Sequence, residues 1–95
     1  MITHIVLFQM KEPKPQNVAE VAAALRAMDG RVAGLGTITV GIDINRGPRA
    51  SDLCLITTHE DAEVLAAYQA DAIHGEVKRM IGERTTDATV VDFEV

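Results

Sequence analysis

The sequence predicts an α+β domain in which one four-stranded antiparallel sheet carries its helices on a single face. Three observations predict it. Four short segments are apolar with strand-like alternation, two others repeat apolar residues at helical spacing, and the six follow one another as β-α-β-β-α-β. A chain of 95 residues has room for one core, so residues 1–95 are read as a single domain without linker or repeat.

The first strand spans residues 2–10. Ile2, His4, Val6, Phe8 and Met10 fall on one face and Ile5 and Leu7 on the other, so both faces call for burial. Lys11-Glu12-Pro13-Lys14-Pro15 interrupts the strand. From Gln16 to Met28 the apolar positions Val18, Val21, Ala22, Leu25 and Met28 return at helical intervals, and Gly30 offers a left-handed closing residue.

After a turn bearing Gly34 and Gly36, residues 37–44 alternate, with Ile38, Val40, Ile42 and Ile44 on one side. The loop from Asn45 to Ala50 has hairpin length. It returns the chain into a third, largely apolar strand over residues 52–58. Thr58 and Asp61 have the spacing of a capping box, and acidic residues at 60, 61 and 63 suit the start of a helix near Glu60. That helix carries Val64, Leu65 and Tyr68, bends around Asp71-Ala72, and continues through Ile73, Val77, Met80 and Ile81. Residues 88–95 make the last strand, with Val91, Phe93 and Val95 on one face.

This order is the ferredoxin-like split arrangement, and it predicts two helices on one sheet face. Strands one, three and four have apolar residues for both faces, more than a soluble monomer exposes. Packing two sheets face to face would cover the surplus, which predicts a two-fold homodimer closed as an α/β barrel.

A net charge of −5 with scattered Lys and Arg opposes binding to nucleic acid, and Arg46 and Arg49 read as a solvated loop. No segment has the pattern of a membrane span or a secretory leader, so a cytoplasmic protein is expected. The single cysteine, Cys54, sits in the run Leu53-Cys54-Leu55-Ile56, where burial is expected. No metal is expected, because His4, His59, His74 and Glu76 lack ligand spacing. No cofactor is expected either, since the glycines at 30, 34, 36 and 41 form no phosphate-cradling motif. Ser51 and Cys54 lack a nucleophile elbow.

Several separated motifs then coincide. They are Ile2-x-His4-Ile5-Val6-Leu7-Phe8, a strand around Gly41 ending in Asp43-Ile44-Asn45, and Asp52-Leu53. Glu60-Asp61, Leu65, Tyr68-Gln69, His74 and the terminal Val90-Val91-Asp92-Phe93 complete the set. Together they resemble the stress-responsive dimeric α/β-barrel (Dabb) family across essentially the whole chain. The resemblance implies a ferredoxin-like protomer, a dimeric barrel and a small apolar ligand pocket in each protomer. It also implies a chemistry seen in that family, the intramolecular aldol condensation of a linear poly-β-keto thioester. That reaction uses a His on the first strand, a Tyr on the later helix and a His six residues after it. The matching residues are His4, Tyr68 and His74, with Val6 beside His4 in the pocket wall. Two positions depart from the pattern: Asp71-Ala72-Ile73-His74 stands where many relatives have His-Pro-x-His, and His59 stands where they often have an aromatic.

Chemically, imidazole suits the removal of a proton from a carbon between two carbonyls, because its pKa lies near neutrality. His74 is the candidate base, Tyr68 the donor to the developing enolate oxygen and His4 an orienting group. The competing interpretation makes His4 and Tyr68 core residues with satisfied hydrogen bonds, in a small-molecule binding dimer without catalysis. A small apolar or aromatic carbonyl compound is the expected ligand for either. A monooxygenase-like activity is a third possibility, and it rests on fold analogy alone.

Overall fold

The computed structural model describes all 95 residues. Its elements are β1 (Ile2–Met10), α1 (Lys14–Arg26), β2 (Ile38–Ile42), β3 (Leu53–His59), α2 (Ala62–Ala70), α3 (Ala72–Arg84) and β4 (Thr85–Glu94). The strands form one antiparallel sheet in the order β2-β3-β1-β4, the ferredoxin-like topology expected from the element order.

Register explains which side chains meet the helices. His4 lies opposite Thr57 on β3 and Asp92 on β4, and Val6 opposite Leu55 and Val90, so one face of the two central strands gathers His4, Val6, Phe8, Met10, Leu53, Leu55, Thr57 and His59. All eight are buried. Against them pack Val21, Ala22 and Leu25 of α1, Met28 and Val32 after it, Leu65 and Tyr68 of α2, and Ile81 of α3. The opposite face carries Ile5, Leu7, Cys54, Ile56, Val91 and Phe93 with no helix over it, and Leu7, Val91 and Phe93 are exposed.

Several boundaries differ from the sequence expectation for identifiable reasons. Helix α1 starts at Lys14, because Pro15 serves its first turn rather than ending the break, as proline's fixed φ and missing N–H allow there. Thr58 is not part of a capping box. Its hydroxyl oxygen takes the Thr37 N–H at 2.8 Å, and Asp61 itself caps α2 by accepting from the Val64 N–H at 2.9 Å. The bend at Asp71 is a complete break, so three helices replace the expected two. Strand β2 ends at Ile42, leaving Ile44 in the loop and almost fully exposed. Strand β4 begins at Thr85 because it pairs with the whole length of β1, and an edge strand tolerates the polar Thr85, Thr86 and Asp87. Cys54 is only half-buried, since it points to the face without helices.

The loop after α1 is held close to α2. Gly34 has φ +80°, and a β-carbon there would lie 2.6 Å from the Val64 carbonyl oxygen and 3.2 Å from the Tyr68 nitrogen. Gly30, with φ +72°, has open space around it. In urea unfolding, Gly30→Ala should therefore cost about 1 kcal/mol from its left-handed backbone alone, and Gly34→Ala about 3 kcal/mol because the backbone of α2 must also move. Equal losses would contradict this packing.

Candidate functional site

Four aromatic side chains from four positions converge at the end of the sheet where β1 begins and β3 ends. Strand parity turns His4 and His59 toward the helices, α2 brings Tyr68 down onto them, and the first turn of α3 supplies His74. Ring centroids lie 4.1 Å apart for the stacked Tyr68 and His74, 4.7 Å for His59 and Tyr68, 6.5 Å for His4 and Tyr68 and 6.3 Å for His4 and His59. Thus His4, Tyr68 and His74, which sequence reasoning selected, do come together. Val6 lies two residues along the same face as His4, within the apolar core beside Leu55 and Val90.

Hydrogen bonds assign different states to the rings. The Asp92 carboxylate can only accept, so His4 Nδ1 carries the proton of the bond between them. His59 Nδ1 donates to the Gly34 carbonyl, which leaves its Nε2 to accept from the Thr57 hydroxyl at 2.8 Å. Both nitrogens of His59 are thereby committed, and the ring is a fixed wall for Tyr68. By contrast, the Tyr68 hydroxyl and His74 Nδ1 are buried without any partner in the protein. Buried polar groups are normally paired, so the Tyr68 hydroxyl and His74 Nδ1 stand apart from the rest of the core.

Burial keeps these two groups in complementary protonation states. It pushes the Tyr68 phenol up to about 12, so the hydroxyl remains a donor at neutral pH. Burial also holds His74 below its ordinary value of 6.5, with the Lys78 charge acting in the same direction and His4 adding a smaller push. The backbone carbonyls of Gln69 and Tyr68 lie close to the ring and oppose this shift. The position of His74 in the first turn of α3 adds a helix N-terminus, which disfavours a cation.

Sequence reasoning missed Asp92, Thr57 and the role of His59. A lone charge in the apolar run Val90-Val91-Asp92-Phe93 was the available signal for Asp92, and continuing the alternation Leu53, Leu55, Thr57, His59 would have turned His59 inward. Two open concavities, of about 740 and 400 Å³, lie away from the cluster. One runs between the start of α1 and the loop at 43–50, and the other lies on the uncovered sheet face around Leu7, Gly41 and Cys54. At the cluster Tyr68 and His74 stack on one another.

The depressed His74 value has a sign that stability measurements can read. As pH falls through about 6.5 the unfolded chain takes up the proton before the folded one does, so stability declines from there until the folded site protonates. Melting temperature should drop between pH 8 and pH 5, with a shallower slope in His74→Gln. Parallel slopes in the two proteins would show that His74 contributes nothing to it.

Comparison with known proteins agrees with the fold. A family model for the Stress responsive A/B Barrel Domain (Dabb) matches residues 2–95. A dimeric protein of unknown function and ferredoxin-like fold from Bacteroides fragilis superposes with a TM-score of 0.87 at 20% identity, over 99% of this chain and 95% of that one. A dimeric ferredoxin-like protein of unknown function from Thermobifida fusca gives 0.87 at 23% identity, over 99% and 90%. A structure described as an antibiotic biosynthesis monooxygenase gives 0.77 at 15% identity, over 100% and 98%. No curated protein sequence matches. The chain, matched along nearly its whole length, belongs to the stress-responsive A/B barrel domain (Dabb) family.

Proposed function

We propose that this protein is a homodimer in which each protomer binds a small apolar or aromatic carbonyl compound at the His4–Tyr68–His74 cluster and enolises it. The observation that carries this reading is the stacked, buried pair itself, a phenol kept protonated beside an imidazole kept neutral, neither bonded to another protein group through the Tyr68 hydroxyl or His74 Nδ1. A 1,3-dicarbonyl segment would match both. Neutral His74 removes a proton from the central carbon, the C–H electron pair moves into the enolate, and the Tyr68 hydroxyl donates to the oxygen that becomes negative. The enolate carbon can then attack a second carbonyl carbon of the same chain. The new alkoxide recovers its proton from the imidazolium, closing a ring by aldol addition without a cofactor.

His4 serves this scheme indirectly, since Asp92 holds its ring in place through Nδ1, steeply inclined to the Tyr68 ring on which His74 stacks. Entry of a substrate requires Tyr68 and His74 to part. Helix α2 suits such a movement, because among its nine residues only Leu65 and Tyr68 are buried. A role in binding alone would use the same site without turnover, while a monooxygenase-like role has only the fold of a distant neighbour behind it.

Deuterium exchange at the central carbon of 2,4-pentanedione, followed by NMR, tests the chemistry directly. The protein should accelerate exchange, His74→Ala should abolish the acceleration, and Tyr68→Phe should reduce it by about 100-fold. Exchange unaffected by His74→Ala would sink the proposed base.

Support for the dimer comes from the uncovered face of Ile5, Leu7, Ile56, Val91 and Phe93 and from neighbouring structures described as dimeric. Sedimentation should report the mass of two chains for the natural protein and of one chain for Val91→Asp or Phe93→Asp. A natural protein sedimenting as one chain at micromolar concentration would refute the assembly.

A further inference from the structure

Tyr68 and His74 are six residues apart in sequence. In a continuous α-helix that spacing turns the second side chain about 120° away from the first and carries it about 9 Å along the axis. An unbroken helix could not stack the two rings. Their centroids are nevertheless 4.1 Å apart, with planes inclined by 26°, because the helix stops and restarts at one residue.

That residue is Asp71, whose backbone is extended at φ −65° and ψ 138°. Its N–H donates to the Tyr68 carbonyl at 3.2 Å and closes α2. Its carboxylate accepts from the Ile73 N–H at 2.8 Å and the His74 N–H at 3.3 Å, and its carbonyl accepts from the Gly75 N–H at 2.8 Å, which together open α3. Asp71 is thus hydrogen-bonded to the backbone of both ring-bearing residues.

We infer that Asp71 is a positioning residue, which converts a six-residue separation along the chain into a stacked phenol–imidazole pair. This rests on the reading of Tyr68 and His74 as the groups that handle the proton. Without the carboxylate, the first turn of α3 loses the acceptor for two N–H groups, and His74 turns away from Tyr68 toward solvent. The surroundings that His74 then leaves are Tyr68 of α2, His4 of β1 and the Lys78 charge of its own helix.

The molecule contains its own control. Asp61 caps α2 with the same side chain, accepting from the Val64 N–H at 2.9 Å, and bonds to neither Tyr68 nor His74. Removing either cap should lower the melting temperature by a similar amount, since both variants lose the same kind of interaction. Only the loss of Asp71 should change the site.

The test uses the full chain with isotope-labelled histidine. The His74 imidazole is titrated by NMR in the natural protein and in Asp71→Ala, Asp71→Asn and Asp61→Ala, beside thermal melts of each. Asp71→Ala should raise the His74 titration toward that of an exposed imidazole, Asp71→Asn should keep the natural titration through its remaining accepting oxygen, and Asp61→Ala should leave it unchanged. Asp71→Gly, a milder cap loss, carries the same expectation should the alanine variant fail to fold. A His74 titration unmoved in Asp71→Ala or Asp71→Gly, or moved equally by Asp61→Ala, overturns the proposal.

Exchange of 2,4-pentanedione separates this inference from the reading beneath it. In Asp71→Ala the accelerated rate should fall about tenfold or more through misplacement of the pair, and an undiminished rate overturns the positioning role. Absence of acceleration in the natural protein overturns the enolising reading instead, and the titration then decides the positioning of the two rings by itself.

Discussion

The structure depends on one-sided coverage: three helices shelter a single face of a four-stranded sheet, and everything polar in the site is built on that sheltered face. Because strand side chains alternate, the parity that buries Val6, Phe8 and Met10 also buries His4, and the parity that buries Leu53 and Leu55 buries Thr57 and His59. Placing imidazoles on a core face is costly unless they find partners. Asp92, Thr57 and the Gly34 carbonyl supply them for His4 and His59, which confines the shortage of partners to Tyr68 and His74. The unpartnered groups are therefore local, where α2 meets α3.

Much of the fold was legible because it follows from periodicity. Alternation placed β1 and β3 to within a residue or two, and helical spacing in Val18, Val21, Ala22 and Leu25 identified α1. Errors clustered where backbone geometry rather than apolar patterning decides the outcome. Pro15 reads as a breaker until its place in the first turn of a helix is known, and Thr85 to Asp87 look like loop until β1 is seen to need a partner along its whole length.

The site was legible in part, for a related reason. Residues on one strand face can be inferred from parity, so His4 emerges from sequence, but its partner Asp92 depends on the register of β1 against β4, which alternation alone does not fix. The pairing of Tyr68 with His74 as candidate residues came from resemblance alone. Their contact would not follow from helical spacing, which separates them, and it becomes intelligible only once the chain is seen to break at Asp71. His59 looked like a departure from its relatives, yet it occupies the aromatic position as a ring whose two nitrogens are both bound.

The edge strand β4 has a consequence for how assembly ends. Asp87, Asp92 and Glu94 lie along it, and all of its residues beyond Thr85 are exposed. A further chain adding itself antiparallel with Asp87 opposite Asp92 or Glu94 would bring carboxylate against carboxylate, a repulsion that disfavours those registers of templated growth. Anionic side chains on the sheet margin thus narrow the ways in which another copy could extend the sheet, without any extra element to shield its rim.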